Sequence, residues 1–236
     1  NGAPMHKSLL SAAALALAVV APLAQAHTEG DIILRAGAIT VNPKADSSSV
    51  KVDQGPLAGT DLGGKATMSS DTQLGLNFAY MITDHVGIEL LAATPFEHDV
   101  KLKGTALPAA NGKLGSLKHL PPTLSVVYYP LDSKSVFQPY VGAGINYTWI
   151  YDEHVGSSAS AAGFDNFKAK NSWGMAWQLG ADYMLTDNIM INAQARYIDI
   201  DTRATVENNA VAPGTRAKVN VDVDPWVYMV GLGYKF

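Results

Sequence analysis

The sequence predicts an all-β fold, an eight-stranded antiparallel transmembrane β-barrel, on three observations. Eight runs alternate large apolar residues with small or polar ones at period two. Their connections alternate between short and long. No stretch after residue 26 approaches the ~18 consecutive apolar residues that mark a spanning helix.

Bulk properties narrow the partners. A formal net charge of -4 and a pI near 5.8 oppose nucleic-acid binding, which leaves an excess of Lys and Arg. The absence of cysteine removes thiolate zinc sites, disulfides and thiol catalysis together. No cofactor is expected.

Residues 1–26 are set apart from the fold. Asn1-Gly2-Ala3-Pro4 read as an upstream remnant. Met5 to Ala26 carry a basic Lys7, an apolar stretch from Leu9 to Val20 and Ala24-Gln25-Ala26, the pattern of a secretory signal peptide. The barrel domain is then expected to span 27–236, beginning at His27.

The runs follow in order. The first, 31–41, carries Arg35, Ile39 and Val41 on one parity. In the second, 67–82, Leu74, Leu76, Phe78 and Tyr80 alternate with Gln73, Gly75, Asn77 and Ala79. The third, 86–101, holds Glu89 and Pro95; the fourth, 115–130, holds Leu117 and Pro121-Pro122. In the fifth, 136–152, Val141, Ala143, Ile145, Tyr147 and Trp149 oppose Gly142, Gly144, Asn146 and Thr148. The sixth, 168–185, sets Trp173, Met175, Trp177, Leu179, Ala181 and Tyr183 against Gly174, Ala176, Gln178, Gly180 and Asp182. The seventh is 189–206. The eighth, 217–236, ends with Trp226, Tyr228, Val230, Leu232, Tyr234 and Phe236 on a single face.

Polar and glycine residues cannot form a soluble core, so the bulky parity must face lipid and the small parity the lumen. Short turns at Thr83-Asp84-His85, 131–135 and 186–188 define one rim, with both termini on that side. Long loops at 42–66, 102–114, 154–167 and 207–216 define the other. Tyr80, Tyr128, Tyr183, Tyr197 and Tyr234 form a lower aromatic girdle; Tyr147, Trp149, Trp173 and Trp226 form an upper one.

The segments SDTQLGLNFAYMITDHVGIELLAATPFEH, LPPTLSVVYYP, FQPYVGAGINYT, SWGMAWQLGADYML and VDPWVYMVGLGYKF together resemble the outer membrane protein W family of Gram-negative bacteria. The resemblance covers the whole chain after the leader and is strongest to the family's pseudomonad outer membrane protein G members. It implies an outer-membrane barrel that passes small, mostly hydrophobic molecules through the lipopolysaccharide barrier. It also implies a terminal aromatic, here Phe236, read by the barrel-assembly machinery.

Parity then assigns candidate sites. Arg35, Glu89, Asp182, Arg196 and Lys235 point inward and read as a polar plug of the lower lumen, with a proton or ion relay as the other reading. Further up the pattern inverts: Asp199, Asp201, Asp222 and Asp224 point outward while Ile198, Ile200, Val219, Val221 and Val223 point inward. With Ile39, Val41, Leu117, Pro121 and Ile150 they outline an apolar chamber above the membrane, or packing alone. Pro95 and Pro121-Pro122 weaken the pairing of neighbouring runs. The resemblance implies a lateral opening for the proline matching Pro95; simple bending of the strands is the other reading.

Weaker signals are set aside. His98, His119 and His154 lack further ligands at metal-site spacing. Asn146-Tyr147-Thr148 fits a glycosylation acceptor but falls within a strand, and the Gly142-x-Gly144 and Gly231-x-Gly233 pairs lack a strand-to-helix context. No GxSxG motif suggests an enzyme. The expected function is passive uptake of small hydrophobic molecules, with small amino acids or other polar solutes, or surface recognition through the loops, as alternatives.

Overall fold

The computed structural model describes residues 26–236. Its strands begin with β1 (Ile32–Asn42), β2 (Asp46–Ser47), β3 (Val50–Gln54), β4 (Asp61–Met68), β5 (Asp71–Met81), β6 (Val86–Ala93), β7 (Phe96–Thr105) and β8 (Gly112–Leu120). They continue with β9 (Thr123–Tyr128), β10 (Phe137–Val155), β11 (Asp165–Ala169), β12 (Ser172–Met184), β13 (Ile189–Ile198), β14 (Asp201–Glu207), β15 (Arg216–Asp222) and β16 (Trp226–Lys235). A short helix, α1 (Ser157–Ala161), lies between β10 and β11. The expected leader lies outside the described residues except for Ala26.

Two levels are stacked on each other. In the lower level β1, β5, β6, β9, β10, β12, β13 and β16 pair in that order, all antiparallel, and β16 returns to β1. Arg35 of β1 is aligned with Asn77 of β5 on one side and Gly233 of β16 on the other. The circle leaves no strand edge, the condition for a sheet to cross hydrocarbon. In the upper level the far end of β10 continues through β8, β7, β4, β3, β15 and β14 to β11. Ile150 N–H donates to Asn171 Oδ1 at 2.8 Å across the seam between β10 and the chain entering β12.

Most runs are split between the levels. Breaks fall at Ser69-Ser70, Thr94-Pro95, Pro121-Pro122, Lys170-Asn171, Asp199-Ile200 and Val223 to Pro225. Among the described residues β10 alone passes both levels unbroken, with 19 residues. At ~3.3 Å per residue and a tilt near 40° it rises roughly 45 Å, well beyond an apolar belt of about 25 Å. The upper level therefore stands clear of the bilayer.

Side-chain exposure follows this geometry. Around the belt Leu179, Val230 and Trp177 are 63%, 61% and 56% exposed, while Asn77, Glu89 and Asp182 behind them are fully buried. Above the belt the sense reverses: Asp199, Asp201 and Asp222 are exposed, and Ile198, Ile200, Val221 and Val223 are buried.

Three expectations change. The stretch 42–66 is not a plain loop, because β2, β3 and the start of β4 fill the place in the upper sheet that β1, ending at Asn42, does not reach. Short strands bounded by Ser and Gly carry too little periodicity to be read. The stretches 102–114 and 154–167 likewise contain strand, a 3-10 turn at Pro108–Ala110 and α1. Tyr197 belongs to the upper girdle, since it aligns with Trp226 and its ring lies 5.3 Å from the Trp226 ring.

Placing arginine on the belt at Leu179 or Val230 is expected to lower unfolding free energy in lipid by about 2–4 kcal/mol. Asn220→Arg on the outer face of the upper sheet should change it by less than about 0.5 kcal/mol. Urea titration of bilayer-embedded protein measures all three.

Candidate functional site

Four staves of the lower barrel send charges into one narrow lumen. The Arg35 guanidinium donates from Nε to Asp182 Oδ1 at 3.1 Å and from Nη2 to Asp182 Oδ2 at 2.6 Å. Its Nη1 donates to Asn77 Oδ1 at 2.9 Å, and its Nη2 to the Tyr129 hydroxyl at 2.9 Å. Arg196 donates to Glu89, which also accepts from Gln178 Nε2 at 3.0 Å. Arg35 Nη1 lies 3.6 Å from Glu89 Oε2, which links the two pairs. Two guanidinium groups thus face two carboxylates, all buried. Such groups persist without water only when each charge has an opposite partner and hydrogen bonds.

The lumen network holds more residues than the five read from parity. Asn192 Nδ2 donates to Asp182 Oδ1 at 2.7 Å, Arg196 Nε donates to Gln194 Oε1 at 2.9 Å, and His27 Nε2 lies 2.7 Å from Asp182 Oδ2. Tyr140 places its ring 5.5 Å from the Arg35 guanidinium. Gly180 makes that possible, because a Cβ there would lie 2.5 Å from the Tyr140 ring. Asn192 and Gln194 share the inward parity and were open to the same reading. His27 was not, as it precedes the first strand. Lys235 sits lower than the rest: its Nζ donates to Ala26 O at 2.9 Å and lies 3.9 Å from Asp31. Below the plug Ile33, Met81, Met184 and Met190 pack with Tyr129 and Tyr140 into an apolar floor.

Above the plug the candidate chamber residues come together. Ile39, Val41, Leu117, Ile150, Ile198, Ile200, Val219, Val221 and Val223 belong to one buried apolar cluster; Pro121 is buried but lies outside it. Val50, Phe96, Leu102, Leu114, Phe167 and Val206 are among its other members. Their side chains fill most of the space. One cavity of about 10 Å³ touches Met68, His98, Leu117, Ile150 and Val223, and another of about 10 Å³ lies between Val50, Leu102 and Val219. Each has room for one water at most. A larger void of about 220 Å³ opens among the outer loops, walled by Val52, Leu57, Leu62, Leu107, Phe164 and Val211.

Pro95 borders an interruption in one seam. β6 and β9 pair as far as Leu91 and Thr123; β7 and β8 resume at Phe96 and His119. Between them Ala92 to Pro95 face Leu120 to Pro122 without ladder pairs. The flanking seams stay bonded, with Thr94 N–H donating to Leu74 O at 3.0 Å and Tyr147 N–H to Pro122 O at 3.1 Å. Phe96, His119 and His98 stack directly above, with ring centroids 5.1 and 4.7 Å apart.

Comparison with known proteins covers this whole architecture. The model of the OmpW family matches residues 28–236. The chain belongs to that family. Outer membrane protein W of Vibrio cholerae is 42% identical over 98% of this chain and 100% of the relative. The Escherichia coli protein of the same name is 39% identical over the same shares. The crystal structure of OprG from Pseudomonas aeruginosa superposes with a TM-score of 0.83 and 48% identity, covering 90% of this chain and 99% of that one. This OmpW-family barrel is accordingly an outer-membrane protein of the Gram-negative type.

On the outer face of the wall, just above the girdle, Asp199, Asp201 and Asp224 bring carboxylate oxygens within 4.8 Å of one another. Partial desolvation against the wall, together with the carboxylates of Asp222, Asp199 and Asp224, pushes the Asp201 carboxyl up to about 6. An acid raised in the folded state contributes stability below its unfolded value, and that contribution is lost as pH rises through 6. Thermal melts should show Asp201→Asn stabilising the protein at pH near 7.5 relative to the parent, with the gain absent near pH 4. In the plug, Asp182→Leu should cost about 3–5 kcal/mol by stranding Arg35. Arg35→Leu with Asp182→Leu should recover part of that loss in the same unfolding measurement.

Proposed function

We propose that this barrel is a passive channel through which small hydrophobic molecules cross the lipopolysaccharide layer and leave sideways into the outer leaflet. Cargo is received at the apolar mouth among the outer loops, moves down the apolar cluster as its side chains give way, and exits between the third and fourth staves. The observation that carries the reading is the succession of three features along the wall. A closed ionic plug lies below, an apolar core lies above, and one seam lacks its backbone ladder where Pro95 faces Pro121-Pro122. Molecules of low polarity lose little by entering such a core and nothing by leaving into hydrocarbon. A through-going route for small polar solutes is opposed by the Arg35–Asp182 and Arg196–Glu89 pairs across the lumen.

Phe236 is proposed as the assembly signal read by the barrel-assembly machinery. It ends the lipid-facing row, 67% exposed and edge-on to Tyr234.

Pro95→Ala returns an N–H donor to the open seam. It should lower uptake of a hydrophobic fluorophore by cells several-fold, while heat-modified gel migration shows the barrel intact. Uptake equal to the parent in a folded variant rejects lateral exit.

A further inference from the structure

The cavity beside the open seam is apolar except where His98, His119 and Thr148 reach it. His98 is 1% exposed, and its Nδ1 lies 2.6 Å from the Ser69 carbonyl oxygen. A carbonyl only accepts, so Nδ1 carries the proton and Nε2 of the neutral ring is an acceptor. That Nε2 is buried with no partner among the described residues. Burial holds His98 below the usual histidine range against the opposing pull of Asp71 and Asp99, which keeps the ring neutral near pH 7. Thr148 points the same way: its hydroxyl donates to Asn146 Oδ1 at 2.6 Å, leaving oxygen lone pairs for the cavity.

A buried acceptor without a partner in the protein favours whatever supplies it with a donor. Resting on the channel reading above, the geometry points to His98 as a specificity residue that selects apolar cargo bearing one N–H or O–H donor over equally apolar cargo without one. Flat aromatic amines and phenols match these neighbours once side chains give way, because they can stack on the rings of Phe96, His119 and His98 above the seam. A site built on apolar contacts alone would grade cargo only by size and hydrophobicity.

Carbazole and N-methylcarbazole differ at the one donor. Their fluorescence follows uptake into Gram-negative cells producing the full chain, its His98→Leu or His98→Gln variant, or no such protein. Each rate is taken relative to the protein-free strain. The parent should favour carbazole about fivefold, the effect of one net hydrogen bond. His98→Leu should bring the ratio to about one, and His98→Gln, which keeps an acceptor, should restore part of it. Raised uptake of both probes with no preference in the parent, or a preference that survives in folded His98→Leu, overturns the role of His98 and leaves the channel standing. No protein-dependent uptake of either probe overturns the channel reading, and this inference with it.

Discussion

Hydrocarbon offers nothing to a bare peptide group, and the rest of this molecule follows from that. A chain crossing as strands must pair every N–H and carbonyl, so the eight staves close on themselves from β1 round to β16. Closure fixes parity, because alternate residues then have only two places to go. Leu179, Val230 and Leu232 meet lipid, and the same strands must send Asp182, Arg196 and their neighbours inside. A lumen of eight strands is too narrow for bulk water. The inward charges therefore neutralise one another, and the paired arginines and carboxylates are as much a result of closure as the belt is.

The change of sense above the girdle has the same origin with the solvent reversed. Once the wall stands in water, Asp201 and Asp222 belong outside and Val221 and Ile200 belong inside, and no strand has to turn over for this to happen. The chain instead breaks its staves at one height. Where two of those breaks face each other and both contain proline, the seam has no ladder to hold it. Loss of pairing there is tolerable because Ala92, Ala93 and Leu120 stay partly covered and the adjoining seams remain bonded.

Much of this was legible in the sequence. Period-two alternation from Trp173 to Tyr183 gave both the strand and its outward face, and the terminal row from Trp226 to Phe236 did the same. Parity also placed Arg35, Glu89, Asp182 and Arg196 in one lumen. It could not rank heights across strands, which is why Tyr197 was assigned to the lower ring although its register puts it beside Trp226. Nor could it foresee β3, where Val50 and Val52 alternate over too few residues to stand out from a serine- and glycine-rich stretch. The His98 acceptor was invisible for another reason: its state is set by a carbonyl 29 residues away in sequence, and only folding brings Ser69 to it. His27 was hidden in the same way, since nothing local ties it to Asp182.

β10 runs through both levels while most of the other staves are interrupted between them. A sheet resting on one continuous strand and a ring of short joints is stiff along that strand and compliant on the opposite side. The outer tier is thus tied to the membrane tier by one unbroken strand and several short joints, so a change in an outer loop reaches the lower ring of strands through few connections.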